Sequence, residues 1–109
     1  MKPLMLCLFA IAALAQTPGK QTFTGIVTDS MCPTGDHSHM KMGPTDAECT
    51  IACHMEHGAE YVLYDGKEVY SLSDQTTPEK FAGKTVRVTG TLDAKTGTIQ
   101  VQSIVASSK

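Results

Sequence analysis

Three of the chain's four cysteines and all four of its histidines fall between Cys32 and His57, and the segment from Met31 to His57 also holds four of the six methionines. Thiolate, thioether and imidazole are soft or borderline donors that suit Cu(I) or Zn(II), whereas Ca(II) and Mg(II) take oxygen ligands. Cys32, His37, His39, Cys49, Cys53 and His57 are therefore the candidate metal ligands. The run His37-Ser38-His39-Met40-Lys41-Met42, which mixes imidazole with thioether, leans toward copper.

On a helix Cys49, Cys53 and His57 fall at about 0°, 40° and 80°, one narrow stripe. Ala47, Ile51, Met55 and Ala59 gather on the opposite side, which is expected to be the face packed on the rest of the protein. The cysteines then face away from the core, and two thiolates one turn apart make half a site. The loop that carries Cys32, His37 and His39 is expected to fold over the stripe and complete it.

The same residues admit plainer readings. Cys49 and Cys53 are core thiols if the other helix face turns inward, and the His/Met loop is a solvated polar segment if nothing folds it back. A disulfide from Cys32 to Cys49 or Cys53 would close about 16 to 20 residues and add on the order of 3 kcal/mol, leaving one thiol over. Cys49-x-x-x-Cys53-His54 is one residue longer than the C-x-x-C-H attachment motif, so haem is not expected. Thiol redox chemistry gains a little from Cys49 in the first helical turn, but no thioredoxin-like βαβ pattern accompanies it. The serines and carboxylates are scattered through turns, and Tyr61, Tyr64 and Tyr70 read as packing residues. Capture of a metal, with no enzymatic turnover, is the expected role; the alternative is a disulfide-stapled binding module for a protein or small ligand, without a metal.

The N-terminus reads as a signal peptide. Lys2 precedes an apolar run from Leu4 to Leu14, and Ala13-Leu14-Ala15 forms an A-x-A site before Gln16. The run is about half of what a spanning helix needs, and a lipoprotein cleavage before Cys7 would leave almost no apolar segment ahead of it. The expected product is secreted or periplasmic, one domain over residues 16–109, with no membrane attachment after cleavage. A core this small is marginal, and exported domains of this size often add disulfides or a metal. Acidic residues exceed basic ones, no basic stripe is present and aromatic residues number six, so nucleic acid is not an expected partner. Oligomeric state is not readable.

The elements that must position the ligands are short. Gln21 to Asp29 alternates as a first strand, and Ser30 to Pro44 is a loop of about fifteen residues, long enough to be functional. Thr45 with Glu48 forms a capping box and Gly58 a C-terminal cap, which predicts a helix over Asp46 to His57. Tyr61 to Tyr64 and Glu68 to Leu72 flank Asp65-Gly66, a hairpin turn signal. Thr77 to Phe81 is a helical turn with Pro78 at its first position. Lys84 to Leu92 and Thr98 to Val105 form a second hairpin, with Val86, Val88 and Thr91 on one face and Ile99, Val101 and, after a shift, Ile104 on the other strand. The fold class is mainly β with one main helix: a small five-stranded barrel with a long loop and helix inserted after the first strand.

The stretch Phe81-Ala-Gly-Lys-Thr-Val-Arg-Val-Thr-Gly-Thr-Leu92, followed by a turn and Ile99-Gln100-Val101, resembles the closing strands of bacterial OB-like domains. Gly25-Ile-Val-Thr-Asp-Ser-Met-Cys32 with Glu48-Cys-Thr-Ile-Ala-Cys53 resembles a family of small, uncharacterised secreted bacterial domains. The resemblance spans nearly all of residues 16–109 and implies an OB-like barrel and export. That family has no established activity to carry over.

Overall fold

A computed structural model describes residues 19–38 and 43–107. The proposed signal segment, His39, Met40 and Met42 lie outside the described residues. Five strands, β1 (Gln21–Asp29), β2 (Tyr61–Tyr64), β3 (Val69–Leu72), β4 (Thr85–Asp93) and β5 (Thr98–Ala106), and one α-helix, α1 (Asp46–His57), account for the regular structure, with a 3₁₀ turn at Thr77–Phe81. Strand and helix positions match the sequence reading to within a residue at each end.

The strands close into a barrel in the order β1-β2-β3-β5-β4, with β4 returning to β1. Closure leaves no long unpaired edge. All neighbours are antiparallel except β3 and β5, which pair in parallel through Ser71 with Thr98 and Leu72 with Ile99. Inside lie Val27, Tyr61, Leu63, Leu72, Val86, Val88 and Ile99, with Phe23, Tyr70, Phe81, Leu92, Val101 and Ile104 packed around them. A bulge where Thr89 pairs with Ser103 and Gly90 with Val101 lets β5 keep Ile99, Val101 and Ile104 against the core despite their uneven spacing.

On β4 the inward face continues from Val86 and Val88 to Gly90, not to Thr91. A Cβ on Gly90 would run into the Gln100 carbonyl and the Ile99 side chain, so the absence of a side chain is what lets β5 lie so close.

The helix is capped as its sequence demands. Thr45 Oγ1 accepts from the Glu48 amide at 3.1 Å, and Gly58 turns the chain in the left-handed region at φ 70°. Its inward face, however, is the reverse of the expected one. Cys49, Thr50 and Cys53 are buried, Ile51 is half-buried and Met55 is 70% exposed. Cysteine packs as a small hydrophobe, and two of them with a threonine give α1 a slim face that can lie close to the end of β1. The bulkier Ile51 and Met55 are turned outward as a consequence. His57, on the last turn, stays exposed.

These placements predict two stability outcomes in urea denaturation. Gly90→Ala should lower the unfolding free energy by about 1–3 kcal/mol, the usual cost of overpacking. Met55→Ser should change it by no more than about 0.5 kcal/mol, as on any surface without special contacts; a loss of several times that would put Met55 in the core.

Candidate metal centre

β1 ends at Asp29, and the chain turns sharply there. Asp29 Oδ1 accepts from the amides of Met31 and Cys32, both at 3.0 Å, and the Asp29 carbonyl accepts from Cys32 at 3.1 Å. This is an Asx-type turn, in which the carboxylate does the work of a backbone acceptor. The Thr28 hydroxyl donates to the Cys32 carbonyl at 2.8 Å, and the Gly35 amide donates to the same oxygen at 2.9 Å. Cys32 is thus held at both its amide and its carbonyl, which fixes the direction of its Cα–Cβ bond. Ser30 and Glu60 exchange two further bonds, each 2.9 Å, that tie the turn to the chain entering β2.

The loop then brings His37 back against α1. The ring is 7% exposed, and Nε2 lies 3.4 Å from the hydroxyl of the fully buried Thr50. An Nε2–H donated to Thr50 leaves the lone pair on Nδ1. Asp29, Cys32 and His37, all buried, each offer one ligand atom within 4.8 Å of the others'.

Two buried atoms in this cluster have no hydrogen-bond partner: Asp29 Oδ2 and His37 Nδ1. Leaving a buried polar atom unsatisfied costs about 1–3 kcal/mol, so native structures rarely tolerate one without a reason. Both atoms belong to residues whose ligand atoms lie within 4.8 Å of one another and of the Cys32 thiol, and a cation bound among the three side chains would answer them. A cavity of about 290 Å³ lined by His37, Cys49, Asp36 and Asp46 reaches this region, and a smaller one of about 90 Å³ is lined by His37 with Val27 and Thr28.

Cys49 and Cys53 lie one turn apart on the buried face of α1. Burial, then the Asp29 carboxylate and then Cys49, raises the Cys32 thiol above its ordinary range. Burial first and Asp29 next push Cys53 up to about 12. Both cysteines are thus protonated thiols at neutral pH, poorly suited to nucleophilic work, and an ion binding there must displace a proton.

Of the ligands anticipated from sequence, Cys32 and His37 come together, and Cys49 and Cys53 adjoin them on the buried face of α1. His57 joins no such cluster among the described residues, and His39 lies outside them. Asp29 was not anticipated. The available signal was Asp-Ser-Met-Cys at a strand end, where an aspartate three residues before a cysteine caps the turn that presents it.

A family model described as a protein of unknown function, DUF5818, matches residues 55–107, slightly less than half of the chain. The match takes in the end of α1 and strands β2 to β5 and stops short of Asp29, Cys32, His37, Cys49 and Cys53. No curated protein and no solved structure matches the chain.

The thiols also set a pH dependence. A thiol whose folded pKa is raised contributes stability that is complete below its unfolded value, about 8.5, and that is lost as pH climbs toward the folded one, about 12 for Cys53. Tyr61, pushed up to about 12 mainly by burial, acts in the same direction at the upper end of that window. With reductant present and metal removed, the urea midpoint should fall from about pH 8 to about pH 10. Cys53→Ala should flatten that fall; a midpoint that rises over this range would contradict the buried-thiol arrangement.

Proposed function

We propose that this protein is an exported metal-binding barrel that captures a transition metal of the Zn(II) or copper class where β1 gives way to the long loop. Asp29 Oδ2, Cys32 Sγ and His37 Nδ1 are the central ligands. The observation that carries this reading is the pair of buried, unpartnered atoms on Asp29 and His37 flanking a buried thiol. One carboxylate, one imidazole and one thiolate suit Zn(II) better than Ca(II) or Mg(II), and the hard carboxylate counts against Cu(I) at this set. Thr50 serves as the outer partner that orients the His37 ring. The five-stranded closed order supports reading the scaffold as an OB-like barrel, and Lys2 with the apolar run and A-x-A site supports export.

The role is holding or buffering an ion, with no chemical turnover. Metal binding here ties β1, the loop and α1 together, so binding energy becomes folding energy. A disulfide among Cys32, Cys49 and Cys53 would staple the same elements and block the site, which makes the thiol state the variable to control.

Isothermal titration of the reduced protein should show one Zn(II) bound per chain, with affinity weakening as pH falls because protons compete for thiolate and imidazole. Saturation at a hundred times Kd should add about 2.7 kcal/mol to stability. Asp29→Asn keeps the Oδ1 turn bonds yet should weaken binding by at least about tenfold, as should His37→Ala, while His57→Ala should leave it unchanged. No binding by the reduced wild type would leave the disulfide-stapled module as the better account.

A further inference from the structure

The proposed divalent site is closed off from solvent: Asp29, Cys32 and His37 are 0%, 5% and 7% exposed. An ion that reaches it must be passed inward, and the structure limits the direction. Of the three ligands, His37 lines two cavities, of about 290 Å³ and about 90 Å³, whereas Asp29 and Cys32 are not among the described residues lining either. The two cavities differ in chemistry. The smaller is walled in part by Ile26 and Val27 of β1, where a cation gives up hydration and gains nothing in return. The larger lies between the loop and the start of α1, with Asp36, Ser38, Thr45 and Asp46 on its wall and no β1 residue among those described. Its volume has room for a cation with about six waters at about 30 Å³ each. Asp36 Oδ1 accepts from the Ser38 amide at 3.0 Å, which holds the carboxylate on the loop just before His37. Asp46, with Glu48 in the same first turn, offsets the positive end of the α1 dipole, which would otherwise repel a cation. Two exposed carboxylates do not make a site by themselves. What points to an ion is His37, whose Nδ1 is buried without a hydrogen-bond partner on a ring that walls this same cavity.

We propose that the larger cavity is the vestibule of the metal site: a hydrated divalent cation of the Zn(II) class is held first by the Asp36 and Asp46 carboxylates and enters past His37. The inference rests on the divalent site proposed above and adds the route to it. At His37 the ion exchanges water for imidazole, and at Cys32 it takes the place of the thiol proton, which leaves to solvent. The carboxylates concentrate cations at the entrance and lower the barrier to passage in both directions. The vestibule therefore governs how fast the ion exchanges, and the three inner ligands govern how tightly it is held.

The test measures Zn(II) exchange on the reduced full chain by stopped flow, with association timed against a fluorescent zinc indicator and dissociation by adding excess chelator. Asp36→Asn combined with Asp46→Asn should slow association and dissociation together by at least about tenfold, hold Kd within about threefold, and flatten the salt dependence that wild-type association shows. Ser38→Trp, which fills the cavity from an exposed position, should slow both rates in the same way at unchanged Kd. Ile26→Trp, beside the smaller cavity, should leave both rates at the wild-type value. A Kd within threefold of wild type also shows that each altered protein is folded. Wild-type rates in both the double Asn protein and Ser38→Trp would overturn the vestibule and leave the divalent site standing, as would slowing in Ile26→Trp alone. Faster dissociation with a weakened Kd in the double Asn protein would make Asp36 and Asp46 holders of the bound ion, which also overturns it. No Zn(II) binding by the wild type would end the divalent reading itself, and the vestibule with it.

Discussion

Asp29 is a carboxylate with no exposed surface whose two oxygens have separate duties. One holds the turn that presents Cys32; the other is buried without a partner. A group of this kind is tolerated only where something else in the structure answers it. The surroundings raise the question further, since Asp29 is among the groups that hold the Cys32 and Cys53 thiols in their protonated form. Beside this carboxylate the thiols stay protonated, and a cation bound there would take the place of a thiol proton and offset the carboxylate and thiolate charges together.

The rest of the fold serves that corner. β1 pairs with β2 and β4 along its length, so its last residue is placed by the barrel and not by the loop. His54 donates from Nδ1 to the Ala59 carbonyl at 2.8 Å and stacks on Tyr61 with ring centroids 4.2 Å apart, which clamps the end of α1 to the start of β2. Tyr61 in turn sits opposite Asp29 in the sheet. Helix and strand end therefore meet in a fixed relation, with Thr50 and the two cysteines filling the contact. A position held by secondary structure on two sides suits ligand geometry better than a free loop does.

The strands and the helix were legible in the sequence because each carries its own punctuation: Thr45 with Glu48 and Gly58 around α1, Asp65-Gly66 between β2 and β3, Gly97 before β5. The inward face of α1 was not. Hydrophobic content favoured Ile51 and Met55, but the contact at the end of β1 selected small residues, a choice made by the space between elements and invisible to a helical wheel. Asp29 escaped for a related reason: an aspartate at a strand end reads as a turn former, and only the fold shows that one of its oxygens remains unused. Cys32 and His37 were within reach because a thiol and an imidazole on one long loop are unusual enough to stand out. His57 shared their residue type but not their burial.

A Zn(II)-loaded crystal, measured with X-rays on both sides of the zinc absorption edge, tests the central claim most directly. The account predicts an anomalous peak about 2.0–2.3 Å from Asp29 Oδ2, Cys32 Sγ and His37 Nδ1. A peak elsewhere, at the exposed His57 for example, or none in crystals grown from reduced protein with zinc in excess, would contradict it.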